Sequence, residues 1–409
     1  MSVCIQPSPD LAGKKILLGI TGGIAAYKCA ELVRLLKKSG AEVVVGMTDA
    51  ATRFVTPLTF QALSGHPVAV DAWNPDHGNG MYHIDLTRTA DLMVVAPASA
   101  DFMAKIAQGR ADDLLSTLVL ARDCPLAVAP AMNRQMWSNP ATQRNVAQLR
   151  ADSIAIWGPA SGEQACGETG EGRMLEACEL LEQIIAALTP KVLAGQRIVM
   201  TVGPTFEPLD PVRGITNRSS GQMGYAMARA FAQAGAEVTM VSGPVNMTAP
   251  MGVHRIEVLT AADMRQAVMR EIGDATVFIG VAAVADYRPV NVAEHKLKKT
   301  ESEAAQRGRT IELTTNPDIL AEVAALPAAP YCVGFAAESQ NLDEYAEAKR
   351  RRKNLPLLIG NRVADGLGTT DNQVTLYDDA GRHPLPILHK ADLAKRLVEE
   401  LAKRLDAMA

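Results

Sequence analysis

Apolar residues in this chain come in two patterns, short unbroken runs and longer stretches in which they share one face. Lys14–Thr21 (KKILLGIT), Glu42–Met47, Asp91–Ala96 (DLMVVA) and Leu126–Pro130 are unbroken runs, as expected of strands covered on both faces. Between them, Ile24–Lys38, Thr52–Leu63 and Ala100–Leu120 carry apolar residues at helical spacing, and Gly40 stops the first of these helices. With Ile154–Trp157 the pattern predicts a sheet of about five or six strands alternating with helices. That is a doubly wound α/β domain, which binds ligands at the carboxyl ends of its strands.

The opening then repeats. Leu11–Ile16 reads LAGKKI and Leu193–Ile198 reads LAGQRI; Gly40–Val43 and Gly235–Val238 both read GAEV. Strands are predicted at Arg197–Val202, Glu237–Ser242, Val277–Val284, Tyr331–Phe335 and Leu357–Gly360. Helices are predicted at Gly221–Ala234, Ala261–Ile272, Ile319–Ala325, Leu342–Arg352 and Lys390–Arg404, with a hairpin around Gln373–Leu385. Two Rossmann-like α/β domains in series follow, residues 1–189 and 190–409, joined near Thr189-Pro190 after a helix Leu175–Leu188. A lysine-bearing polar excursion from Asp286 to Thr315 is too long for an ordinary connection.

Composition narrows the class. The chain has 409 residues, 48% apolar and 4% aromatic, with a formal charge of −4, which offers no bulk attraction to nucleic acid or to a membrane surface. No apolar run reaches membrane-span length, and the first residues, MSVCIQPSPD, lack the basic and apolar regions of a signal peptide. The six cysteines include no C-x-x-C pair, which argues against a zinc site or a disulfide framework and for a reducing, cytoplasmic compartment.

Candidate chemistry lies at the predicted strand ends. Thr21-Gly22-Gly23 runs from a strand into a helix, where backbone N–H groups and the helix dipole suit a phosphate. It is not G-x-G-x-x-G, and neither is the corresponding turn of the second half, which counts against a nicotinamide oxidoreductase. Ser99 stands after the strand Asp91–Ala96, and Met132 and Asn133 after Leu126–Pro130. His83 lies in MYHIDL; alone, a histidine there is more often structural than catalytic. Pro159 to Met174 (PASGEQACGETGEGRM) is glycine-rich and reads as a mobile loop, with Cys166 either a tolerated surface thiol or the reactive group of a flap. In the second half, GITNRSSGQMG before a predicted helix suits a phosphate, whereas KRRRK at Lys349–Lys353 and the lysines Lys296, Lys298 and Lys299 by themselves read as solvated charge.

In order along the chain, TGGIAAYK, APASAD, APAMN, QACGETGEGRM, GPTFEPLDPVRGITNRSSGQMG, AAVADYRP, KLKK, NPDIL, VGFAAE and KRRRKN resemble the bacterial bifunctional phosphopantothenoylcysteine decarboxylase/phosphopantothenate–cysteine ligases of coenzyme A biosynthesis. The resemblance runs from about Gly13 to Leu405. It implies an FMN-dependent cysteine decarboxylase half, with Cys166 as proton donor on a substrate clamp, His83 near the flavin, and Asn133 on the substrate carboxylate. Thr21, Gly22, Gly23, Ser99 and Met132 would hold the cofactor, and Gly167 and Met174 would lie with the substrate. Thiols are mainly protonated at neutral pH, as a donor must be. Asp101 replaces an asparagine common in eukaryotic relatives, and its role stays open.

For the second half the resemblance implies CTP-dependent ligation of 4′-phosphopantothenate with cysteine through an acyl-cytidylate. Asn217 would hold the intermediate with Arg213 near it, and Lys296 would neutralise the leaving pyrophosphate. Asp286, Asn316, Pro317, Asp318, Ile319, Leu320, Phe335, Lys349 and Lys353 would form the nucleotide site. Mg2+ is expected with the triphosphate, with no metal site built from protein groups alone. The partners implied are the small-molecule substrates and further copies of the chain, as trimers of the first half and dimers of the second. The alternative is a flavoprotein decarboxylase with a non-catalytic nucleotide-binding C-terminal domain.

Overall fold

The computed structural model describes residues 10–71, 82–298, 310–366 and 368–407, without the side chains of Tyr82 and His83. The chain divides into two units, Met1–Leu188 and Thr189–Ala409.

In the first unit the unbroken apolar runs form one parallel sheet, ordered Glu42–Met47, Lys15–Ile20, Leu92–Ala98, Leu126–Pro130, Ala155–Ile156. In chain order this is 2-1-3-4-5, the doubly wound arrangement whose strand order reverses between its first and third strands. The sheet is covered on both sides. One face meets the helices Lys28–Lys38 and Ala177–Leu188 through Leu32, Leu36, Leu180 and Ile184. The other meets Ala100–Ala107 and Leu114–Ala121 through Phe102, Met103, Leu115 and Leu118. Each such aliphatic side chain removed from water contributes about 1.5–3 kcal/mol. The expected helix Thr52–Leu63 is split, Asp49–Thr52 and Pro57–Ser64, because Pro57 restarts the chain at a first helical turn.

The second unit is built on an eight-stranded sheet. Its parallel part runs Val253–Glu257, Glu237–Ser242, Arg197–Val202, Val277–Gly280, Tyr331–Glu338, Leu357–Arg362, followed by the antiparallel hairpin Thr375–Asp378/Gly381–Pro384. The parallel order is 3-2-1-4-5-6, so the connections diverge between Arg197–Val202 and Val277–Gly280. The helix Gln222–Gln233 lies very close to the first strand: a Cβ on Gly224 would stand 2.5 Å from Val202 Cγ1. Helix Lys390–Asp406 packs beside it, with Leu393, Leu397 and Leu401 in the same core as Tyr225, Ala228 and Phe231.

Several pairings carry no apolar signature and were not expected. These are Phe206–Pro208 with Gly214–Thr216, Tyr287–Pro289 with Leu313–Thr315, and Asp371–Asn372 with Leu388–His389. The strand expected at Val277–Val284 ends at Gly280, and its continuation lines a cavity instead. Among the described cysteines Cys29, Cys124, Cys166 and Cys332 are free thiols. No helix among the described residues is long and apolar enough to cross a membrane.

Candidate active sites

Each sheet collects its motif residues at its own reversal point. In the first unit, Thr21 leaves the first strand and Ser99 leaves the third. The Thr21 hydroxyl donates to Pro97 O (2.7 Å) and accepts from Ser99 N (2.9 Å), at 1% exposure. Its one proton is therefore committed to the protein. Thr21 ties the two strand ends together, which leaves the backbone N–H groups of the turn to face a phosphate. Gly22 has no room for a side chain, since a Cβ there would stand 2.6 Å from Ala50 Cβ; Gly23 faces open space. The turn enters Ile24–Tyr27 and then the helix Lys28–Lys38. Ser99 caps the helix Ala100–Ala107 by accepting from Phe102 N (3.2 Å). A side-chain-free turn at the head of a helix, beside the first and third strands, fits the phosphate end of a flavin mononucleotide. Asp101 is exposed on the first turn of Ala100–Ala107, 3.9 Å from Lys105, where its charge favours that helix terminus.

Pro159 to Met174 is not a structureless loop. Ala160–Glu163 and Thr169–Arg173 pair as an antiparallel hairpin with Cys166 exposed at its tip. Its glycines allow this geometry. Gly172 adopts φ +144°, and a Cβ there would lie 2.3 Å from Met132 O. That closeness lets Met132 N donate to Gly172 O (2.9 Å), pinning the hairpin to the end of strand Leu126–Pro130.

The result is a polar cluster. Asn133 Oδ1 accepts from Gln135 N (2.8 Å) and caps Arg134–Ser138. Its amide Nδ2 is thereby aimed at the hairpin, donating to Glu168 Oε2 (2.8 Å) and Gln164 Oε1 (3.3 Å) and lying 3.5 Å from Cys166 Sγ. Gln135 Nε2 donates to Glu168 Oε1 (3.1 Å), and Arg134 Nε stands 3.6 Å from Glu168 Oε2. The Asn133 and Gln135 amides, opposed by burial and then assisted by the Arg134 charge, hold the Glu168 carboxyl below its usual range. Cys166 and Asn133, 33 residues apart, are thus neighbours. Gln164, Glu168 and Arg134 were not singled out from sequence; the charged and amide residues flanking Cys166 were the available signal. Gly167 forms the turn at φ +82°. Met174 is 2% exposed and packed in the core, so it anchors the hairpin and does not reach a substrate. His83 falls at the start of helix Tyr82–Arg88, but its side chain lies outside the described residues.

In the second unit a cavity of about 1040 Å³ opens at the carboxyl ends of the strands. Asn217, Asp286, Asn316, Pro317, Asp318, Ile319, Leu320, Phe335, Lys349 and Lys353 all line it. Asn217 Nδ2 donates to Ala283 O (2.9 Å) and Val284 O (3.2 Å), fixing the side chain against the segment that leaves the central strand. Asn316 Nδ2 does the same to Ala285 O (2.8 Å). Asp318 caps Ile319–Ala324 and pairs with Lys353 at 2.7 Å, while Ile319 and Leu320 form an apolar floor. Lys349 Nζ donates to Phe335 O (2.8 Å); burial, reinforced by the Lys353 charge, pushes its ammonium below the usual lysine range. A desolvated lysine lining the cavity is prepared for an anion.

Two expected residues do not line this cavity. Lys296 is exposed on the segment after Tyr287–Pro289. The Arg213 guanidinium is held by the buried Asp210 carboxylate (Nη2–Oδ2 2.7 Å, Nε–Oδ2 3.0 Å) and also donates to Leu297 O. Burial alone would raise Asp210, but N–H groups of Val212, Leu297 and Arg213 and the guanidinium hold it far below the carboxylate range. Arg213 therefore braces the Lys296 segment instead of facing a ligand in this cavity. Among the described residues no group of three or more His, Cys, Asp or Glu side chains could hold a metal.

A flavin-type domain carrying a cysteine–asparagine cluster, joined to a nucleotide-type domain carrying a lysine-lined cavity, defines a two-site enzyme. Residues 5–189 match the Flavoprotein family, and residues 193–405 match the DNA/pantothenate metabolism flavoprotein C-terminal domain. The coenzyme A biosynthesis bifunctional protein CoaBC of Vibrio cholerae is 52% identical over 393 residues, 95% of this chain and 98% of that one. The protein of the same name from Escherichia coli is 48% identical over 402 residues, 97% and 98% of the two chains. A crystal structure of a CoaBC C-terminal domain is 38% identical, covering 53% of this chain and 99% of its own, with a TM-score of 0.45. The chain belongs to the CoaBC family of bifunctional coenzyme A biosynthesis proteins. It is a flavoprotein with decarboxylase and ligase activities acting on small-molecule substrates.

Proposed function

We propose that the second half joins 4′-phosphopantothenate to cysteine at the expense of CTP, and that the first half decarboxylates the product with FMN to give 4′-phosphopantetheine. One observation carries this reading: in each half, motif residues far apart in sequence meet where the strand order of that half's own sheet reverses.

In the first half, Asn133 binds the carboxylate that is to leave. Its amide already holds the carboxylate of Glu168, with Gln135 and Arg134 beside it, so the cluster is suited to that charge. Gly22, Gly23 and Ser99 would hold the FMN phosphate end, with Met132 on the adjacent strand end. The flavin supplies the electron acceptor that the substrate lacks. Cys166 then delivers a proton to the decarboxylated carbon framework, and the hairpin, with Gly167 at its turn, excludes water while it does so. His83 is assigned to the same site as base or thiolate stabiliser.

In the second half, Asp286, Asn316 to Leu320, Phe335, Lys349 and Lys353 hold CTP, and Asn217 holds the acyl-cytidylate. Turning the carboxylate into a mixed anhydride with a phosphate creates the leaving group that cysteine's amine needs. Lys296, on the segment braced by Arg213 and Asp210, neutralises pyrophosphate. Mg2+ rides on the triphosphate. We assign the enzyme to the cytoplasm and to an assembly of trimers of the first half and dimers of the second.

Mass spectrometry of one incubation with 4′-phosphopantothenate, cysteine, CTP and Mg2+ tests the reading. Accumulation of 4′-phosphopantetheine and CMP is expected. A reaction that stops at phosphopantothenoylcysteine would overturn the decarboxylase assignment, and the absence of CMP would overturn the CTP assignment.

A further inference from the structure

The ligase cavity holds a second buried cation that neither the motifs nor the reading above uses. Lys390 is the first residue of helix Lys390–Asp406, is 6% exposed, and lines the cavity. Its ammonium donates to Gln222 Oε1 (3.3 Å) and to Thr369 O, both neutral. Among the described residues no carboxylate forms an ion pair with it, and Asp371 is the acid whose charge reaches it. A buried ammonium with neutral partners is costly unless an anion completes it.

Its surroundings favour an anion. Gln222 opens the 12-residue helix Gln222–Gln233, and Lys390 opens the 17-residue helix packed beside it. Two positive helix ends therefore meet at Lys390, next to the loop Ser219-Ser220-Gly221, which lines the same cavity. A second, independent feature is Asn372. It is 4% exposed and lines the cavity, and its side-chain Oδ1 is buried with no hydrogen-bond partner among the described residues. An orphaned amide oxygen there calls for a donor from a ligand.

The nucleotide end of the cavity is already supplied with cations. Lys349 bonds to Phe335, on the strand Tyr331–Glu338; Lys390 bonds to Gln222, in the helix that follows Arg197–Val202. These strands are two places apart in the sheet, a separation of roughly 10 Å. One cavity with two separate cationic ends suits two phosphate-bearing substrates.

We propose that Lys390 is the binding residue for the phosphate monoester of the acyl substrate, with Asn372 Oδ1 accepting from the hydroxyl or amide N–H that this substrate carries between its phosphate and its carboxylate. This rests on the ligase reading above. The shared chemistry, a phosphate anion, could also come from the nucleotide, and the test separates the two.

Lys390→Met fills the same volume without the charge, so the fold is retained. Ligation by the full-length enzyme is followed by CMP release with 4′-phosphopantothenate and, in parallel, with unphosphorylated pantothenate. The wild-type preference for the phosphorylated substrate is expected to fall by roughly 10- to 100-fold in K390M, the range for a lost charge-assisted hydrogen bond. The KM for CTP should stay within about twofold, and Lys390→Arg should recover part of the preference. A K390M enzyme that keeps the preference overturns the proposal, as does one in which the CTP KM rises instead, which would hand Lys390 to the nucleotide. Should K390M fail to fold, the same comparison is made on Asn372→Ala, where an unchanged KM for 4′-phosphopantothenate overturns the proposal. Failure of the wild-type enzyme to release CMP would condemn the ligase reading itself, a different outcome from any of these.

Discussion

Gly172→Ala should disable one activity and spare the other. The new Cβ would be placed 2.3 Å from Met132 O and 2.7 Å from Gln164 Nε2, at a backbone angle of φ +144°. The Gln164 amide is the far end of a flexible side chain and can turn away, but Met132 O is backbone, so it is the hairpin that must move. Backbone strain of this kind costs about 1–3 kcal/mol. Loss of the 2.9 Å Met132 N–Gly172 O hydrogen bond adds about 1 kcal/mol. About 2–4 kcal/mol therefore opposes docking of the hairpin, and each 1.4 kcal/mol is roughly tenfold in population. Undocking takes Cys166 and Glu168 away from Asn133. Part of this is absorbed by whatever margin the docked state has, so the expected fall in decarboxylation is at least about tenfold. The assay is 4′-phosphopantetheine formation from supplied phosphopantothenoylcysteine, with CMP release measured on the same preparation. Ligation should proceed at the parental rate, because the substitution lies within the first unit. Gly167→Ala, in the same hairpin but with nothing within 4 Å of its Cβ, should lose less. Decarboxylation by G172A at the parental rate would refute the claim that hairpin docking organises this site.

Cys166→Ser should leave flavin absorbance and ligation intact while 4′-phosphopantetheine formation falls at least about 100-fold, because a hydroxyl is a far weaker acid than a thiol; normal output would remove Cys166 from proton delivery. Lys349→Met should raise the CTP KM by roughly 10- to 100-fold with decarboxylation unchanged. Because burial lowers the Lys349 ammonium, CTP affinity in the wild type should also weaken as pH rises before an ordinary lysine would titrate; Lys349→Arg, which keeps its charge, should show no such weakening. The acid side has the opposite origin. Arg350, opposed by burial and then assisted by Arg351, holds Glu347 down to about 2. A carboxylate depressed in the folded state stabilises fully above the unfolded value of about 4.3, and the contribution is lost as pH falls through the folded value. Urea midpoints from pH 6 to pH 2.5, followed by circular dichroism, should therefore fall less steeply for Glu347→Gln than for wild type; identical slopes would exclude this pair as an acid-sensitive element.

The sequence alone determined the elements that are stabilised locally and buried on both sides. Lys15–Ile20, Glu42–Met47, Glu237–Ser242 and Gln222–Gln233 were legible because a covered parallel strand must be apolar throughout and a packed helix apolar on one face. The repeated LAG and GAEV segments likewise marked a second α/β opening, and the motif residues of both sites could be named. The tertiary structure decided what those residues do. The hairpin Ala160–Arg173 is polar and glycine-rich, so its pairing leaves no periodic trace, and only the close approach of Gly172 to Met132 brings Cys166 to Asn133. Thr21 reads as part of a cofactor-binding turn, and only the third strand, which takes its proton, shows that its hydroxyl ties two strand ends together. Lys390, at the start of an amphipathic helix, carries no sequence signal of burial, and becomes a buried cation only when that helix lies against Gln222–Gln233. In each case the deciding neighbour is distant in the chain, and local propensity carries no information about it.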